Sequence, residues 1–295
     1  MEDTIEFTFS FDGNEAEKHR LDLYDVSRAL EGFHRTLALT THLIINNEVI
    51  TQAPSLKNAT IYSLPPEEGS WKITVIVCTT LFSLGTAPKD TPLGHLIYSA
   101  YDYVISESLG VHVDYNKTLG KLYKEANAEK LPKIRETQLD SVIEKCSNSI
   151  KEMHRPIYQT NTATKAEISA KINTTTKMLS TSLDYETYMH IKTENVNTKE
   201  VLIHGYISSY NINTFNGRIY TTEVNRAVPF ELSYYLKNEK KVIRLIVNSL
   251  RENALKVKER KKLKCLVQKV ESVKGKLKKY IIISISIDRN TDDED

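Results

Sequence analysis

The most apolar passage of the chain, residues 68–110, constrains the fold more than any other stretch. It opens on Gly69-Ser70-Trp71, which holds the chain's one Trp, and continues through Lys72-Ile-Thr-Val-Ile-Val77. Small residues then lead to Ala87, Pro88-Lys-Asp-Thr-Pro92 turns the chain, and a second apolar run closes at Gly110. The apolar run 73–84 is about a dozen residues long and broken by Thr79, Thr80 and Ser83, and a membrane-spanning helix needs about 20. Lys89, His95, Asp102 and Glu107 within the segment also argue against insertion into lipid. A buried strand is therefore expected, then a tight connection at Gly85, then a core helix capped by Thr91 with Pro92 at its first position. The N-terminal core is expected to be built on this segment. The alternative is a self-assembling or membrane-perturbing effector that uses residues 73–109.

The flanking sequence supplies the partners. Ile5, Phe7 and Phe9 alternate with Glu6 and Thr8, the pattern of a half-buried strand. Leu23, Val26, Leu30, Phe33 and Leu37 are spaced three and four apart, which predicts an amphipathic helix of about four turns capped by Asp22. Residues 43–50 fit a strand or small hairpin around Asn46-Asn47. Residues 59–64 and 70–77 read as strands joined by a turn at 65–69. Leu139, Ile143, Cys146, Ile150 and Met153 form one helical stripe that Arg155-Pro156 ends. This order predicts an α+β domain over residues 1–156, an antiparallel sheet covered by helices.

Residues 157–182 are rich in Thr, Asn, Ser and Lys and are expected to connect this domain to a second one over residues 183–288, with room for one weak helix or strand near residues 166–172. The second domain shows strand patterns at 201–210, 218–223 and 227–232. A helix follows over 238–254 with Val242, Leu245, Ile246 and Leu250 as its stripe, then a hairpin across Lys274-Gly275-Lys276. Three strands, a helix and two strands is the connectivity of a small OB-like β-barrel. Residues 289–295 form an acidic tail.

The sequence carries no GxxxxGK[ST] and no GxGxxG after a strand. Its eight His include no HxxxH pair, and Cys78, Cys146 and Cys265 form no CxxC. His112 and Asp114 read as a surface pair. No cofactor, metal or catalytic residue is expected, and an enzyme whose groups meet only in the fold is the alternative. The acidic N-terminus and the three scattered cysteines predict a reducing, cytoplasmic setting.

Charge is the strongest functional signal. The chain's net charge is +2, yet residues 237–279 hold sixteen Lys and Arg against four Glu, a local +12 that leaves −10 for the remainder. A basic lobe on an acidic body predicts a polyanionic partner, or docking on the acidic half of another protein or a second copy. Arg251, Lys256, Lys258, Arg260, Lys261 and Lys262 lie in and after the second-domain helix. Lys274, Lys276, Lys278 and Lys279 cluster at the last hairpin, and Tyr206, Tyr210, Phe215 and Tyr220 lie on the preceding strands and turn. Cations for phosphate beside rings for stacking make these residues candidates for binding single-stranded nucleic acid.

Residues 23–35, Pro65-Pro-Glu-Glu-Gly-Ser-Trp71, residues 85–94, residues 210–220 and Val228-Pro-Phe230 together resemble an uncharacterised bacterial protein family. The resemblance spans most of the chain. It implies domains of unknown function found on mobile or phage-defence islands, and it supplies no activity and no site residues.

Overall fold

A computed structural model describes residues 4–65, 71–79, 92–111, 113, 119, 134–172, 174–224, 226–255, 257, 261–271, 275 and 277–288. The expected turn at 65–69, the connection at Gly85, the Thr91 cap, the His112–Asp114 pair and the acidic tail fall wholly or mainly outside them. Two compact units divide the chain, residues 1–192 and 193–295.

The first unit is built around β1 (Thr4–Asp12), an inner strand of an antiparallel sheet. On one side β1 pairs with β3 (Lys72–Thr79), which carries the edge strand β2 (Ala59–Ser63). On the other it pairs with β4 (Lys165–Ile172), which carries β5 (Thr175–Met178) and the two-residue β6 (Leu183–Asp184). Successive side chains of a strand point to opposite faces. Ile5, Phe7, Phe9 and Phe11 are accordingly all buried. Their rings meet Tyr101 at 5.3 Å, Phe33 at 5.0 Å and Trp71 at 5.6 Å. The other face is polar, with the Thr8 and Thr74 hydroxyls 2.9 Å apart.

Three helices complete this core: α1 (Leu23–Asn46), α2 (Pro92–Ser108) and α3 (Glu136–Met153). The one-turn α4 (Arg155–Tyr158) and α5 (Tyr185–Lys192) follow. Asp22 caps α1, its carboxylate accepting from the Asp25 amide at 3.0 Å. The expected strand at 43–50 does not form. Leu39, Leu43 and Ile44 continue the buried stripe of α1 for two more turns, and Asn47 in the left-handed region ends it. Gly32 lets α3 approach closely, because a Cβ there would lie 2.4 Å from the Ser149 carbonyl oxygen. Several polar groups inside the core are matched. Tyr101 shares a 2.9 Å hydrogen bond with Thr36, and Asp102 accepts from the Ser180 amide and hydroxyl. Arg155 donates to buried Asp25 at 2.8 Å while lying over the Tyr24 ring.

Residues 157–182 are not a connector. Ala166, Ile168, Ala170 and Ile172 point into the core from β4, an inner strand, while Lys165, Glu167, Ser169 and Lys171 face outward. The polar outward face gave the segment its linker-like composition. Residues 68–110 are likewise not the centre: β3 and α2 lie in the core, but β1 is the strand flanked on both sides.

The second unit is a closed five-strand ring of β7 (Asn195–Asn211), β8 (Asn216–Thr221), β9 (Arg226–Leu232), β11 (Leu277–Ile287) and β10 (Leu263–Glu271). Only the β9–β11 pair is parallel. Between β9 and β10 stands α6 (Lys240–Ala254), so the connectivity matches the OB-like expectation. Ile203, Ile207, Ile219, Phe230, Val267 and Ile282 fill the barrel. Among the described residues no helix is long and apolar enough to cross a membrane.

Two outcomes follow for the first unit. Gly32→Ala should cost about 1–3 kcal/mol, the usual penalty for overpacking a tight contact, measured by urea unfolding followed at Trp71. His154 is fully buried; its Nδ1 donates to the Ile150 carbonyl at 2.7 Å, so neutral Nε2 accepts, 3.0 Å from the Thr187 hydroxyl. Burial pushes its pKa down to about 4. The unfolded chain therefore binds this proton first as pH falls. The contribution is full above about pH 6.5 and is lost down to about pH 4. Between pH 7 and 5 the wild type should lose about 2 kcal/mol that His154→Gln does not lose.

Candidate nucleic-acid interface

The barrel's outer surface is shaped by where the backbones must touch. A Cβ on Gly205 would fall 2.1 Å from the Tyr220 carbonyl oxygen, and one on Gly217 would meet the Ser209 oxygen and the Phe230 ring. The β7–β8 register pairs Ile207 with Ile219 and then shifts before Ser209, a bulge that skips Ser208. Beside it α6 bonds both peptide groups of Ile207: the amide donates to Ser249 at 3.1 Å, and Asn253 donates to the carbonyl at 3.1 Å. This seats α6 with Val242, Ile246 and Ser249 inward.

The four candidate aromatics separate into two pairs. Tyr206 and Tyr220 stand opposite each other on the outer face of β7 and β8, with Tyr220 37% exposed. Tyr210 lies parallel to Phe230, its hydroxyl buried, and burial raises its pKa. Phe215, at φ +58°, packs against the barrel core from the β7–β8 turn that Asn211 organises. Neither Tyr210 nor Phe215 presents an open ring for stacking, because both pack against the barrel core around the four-residue turn 212–215. The outer face near Tyr206 also carries carboxylate: His204 lies 3.3 Å from Glu223 and 3.9 Å from Asp288.

The cations separate too. Lys279 bridges Glu194 at 3.0 Å and Glu231 at 3.1 Å, and Lys278 donates to the Thr193 carbonyl at 3.0 Å, its pKa lowered by burial. Both are engaged within the barrel. Lys256, Lys258, Arg260, Lys274 and Lys276 lie outside the described residues. Arg251, Lys261 and Lys262 are exposed, and none of them has an ion-pair partner among the described residues.

Sequence reasoning passed over the most open aromatics. Tyr234 and Tyr235 form a one-turn 3-10 segment before α6 and are 80% and 84% exposed. Lys240, Lys241 and Arg244 follow on the outward side of α6, exposed and likewise without an ion-pair partner among the described residues. The signal was available: the inward stripe of Val242, Leu245, Ile246 and Leu250 places residues 240, 241, 244 and 251 on the opposite side. Among the described residues no group of three or more His, Cys, Asp or Glu is arranged to hold a metal.

Neither a curated protein nor a solved structure matches the chain. Residues 199–286, which hold most of the barrel, match the family of unknown function DUF7947. Residues 7–192, the whole first unit but for its first strand residues, match the domain of unknown function DUF7946, and the chain belongs to that family.

Proposed function

We propose that this is a non-catalytic binding protein whose C-terminal barrel holds single-stranded nucleic acid. The observation that carries the reading is unpaired positive charge on a small closed barrel. Lys240, Lys241, Arg244, Arg251, Lys261 and Lys262 are exposed with no carboxylate bridged to them among the described residues. Cations already bridged to carboxylates gain little from a polyanion. Hydrated, unbridged ones gain the release of the counterions condensed on it. Exposed tyrosines beside them add stacking on unpaired bases, which duplexes do not offer.

The test uses the full chain and fluorescein-labelled oligonucleotides, single- and double-stranded, followed by anisotropy from about 50 mM salt upward, where non-specific binders reveal themselves. Single strands should bind more tightly than duplex. The logarithm of affinity should fall with the logarithm of salt at a slope of about −2 or steeper, as three or more phosphate contacts require. Absence of binding to either oligonucleotide at micromolar protein sinks the proposal. So does a change of oligomer mass by light scattering on neutralising Lys261 and Lys262 without any nucleic-acid affinity, which would mark a self-docking surface instead.

A further inference from the structure

Tyr234 and Tyr235 are exposed by construction and not by slack. The Ser233 amide donates to the Ile282 carbonyl of β11 at 2.9 Å, and Leu236 packs against the barrel core. The turn is closed by Leu236 donating to Ser233 at 3.0 Å and Glu239 to Leu236 at 3.1 Å. Two anchored residues thus flank two that project. The tyrosine rings sit edge to face, centroids 5.9 Å apart at 83°. In that geometry one ring keeps both faces open and the other keeps one. The adjoining surface is cationic: Lys240, Lys241 and Arg244 lie on the outward side of α6 within about one turn, a rise of about 6 Å. Glu239 precedes them in the chain, and among the described residues no ion pair joins it to these cations.

Resting on the function proposed above, we infer that the nucleic-acid strand seats on this face, with bases stacked on Tyr234 and Tyr235 and phosphates on Lys240, Lys241 and Arg244. The outer barrel face is the poorer platform. Its rings, Tyr206 and Tyr220, are more covered, and its neighbour His204 already lies against Glu223 and Asp288. Negative charge there opposes phosphate, whereas the α6 face offers cations to it. Projecting rings on a fixed turn also lose little freedom when a base stacks on them.

The full chain is titrated into a labelled single-stranded oligonucleotide, with each variant's fold checked by circular dichroism and thermal melting. Tyr234→Ala with Tyr235→Ala should weaken binding roughly 5-fold or more per ring and leave the salt slope near that of the wild type. Replacing both by Phe should keep the affinity, since the ring and not the hydroxyl does the stacking. Changing Lys240, Lys241 and Arg244 to Gln should flatten the slope by about 2, at about 0.7 for each single-strand phosphate contact. Unchanged affinity in the alanine pair overturns the inference. A loss that follows Tyr220→Ala and spares the turn overturns it too, by putting the strand on the outer barrel face while the proposed function stands. Should phosphatidylserine vesicles, and not oligonucleotide, capture the wild type and release the alanine pair, both the function and its placement on nucleic acid fall.

Discussion

The first unit depends on one strand being paired on both edges while a row of aromatic side chains leaves one of its faces. Ladder hydrogen bonds to β3 and β4 fix β1 in register, and the register sends Ile5, Phe7, Phe9 and Phe11 to a single side. A slip of one residue would turn all four to solvent, so the pairing and the burial enforce each other. The helices answer this row: Phe33 from α1 and Tyr101 from α2 meet it edge-on or tilted, and Gly32 brings α3 against α1 behind it. Long-range pairing makes the arrangement slow to assemble but hard to dismantle piecemeal. β4 joins β1 across more than 150 residues of chain, a closure whose loop entropy slows folding.

In the second unit the equivalent constraint is closure. A ring of five strands has no free edge, but it forces close approaches, which Gly205 and Gly217 permit, and Ser249 and Asn253 of α6 bond the Ile207 peptide groups of β7. These two bonds dock the helix in one orientation, and that orientation decides which of its residues meet water.

Much of this was legible in the sequence because periodicity reports burial directly. The alternation in β1, the Asp22 cap, the α3 stripe and the strand–strand–strand–helix–strand–strand order of the barrel were all readable. Two failures share a cause. Residues 43–46 continue a helix whose apolar stripe contains Thr40 and Thr41, and β4 hides its alternation behind alanines. In both, small or polar residues occupy buried positions, so composition misreports environment. Residues far apart in sequence supplied what composition lacked: α3 accepts the end of α1, and β1 recruits β4. The candidate interface was only partly legible for a different reason. Counting charge found the lobe, but counting cannot separate a lysine bridged to Glu194 and Glu231 from one that is free.

That separation governs what a basic surface can do. A cation between two carboxylates is held by neighbours whose attraction a phosphate would have to replace, and half-burial makes the exchange costlier still. Lys279 is in that position, so the last hairpin spends its charge on holding β11 beside β9 and the chain entering β7. The α6 cations stand outside any such bridge among the described residues, and their charge is available to whatever approaches. Position in the fold explains the difference. Lys279 lies on a strand at the barrel's closure, where Glu231 of the parallel neighbour β9 faces it. The outward side of α6 faces solvent alone, because its inward side is committed to Ile207 and the barrel core. The closure that bridges Lys279 thus leaves the cations of α6, together with Lys261 and Lys262, exposed on the barrel.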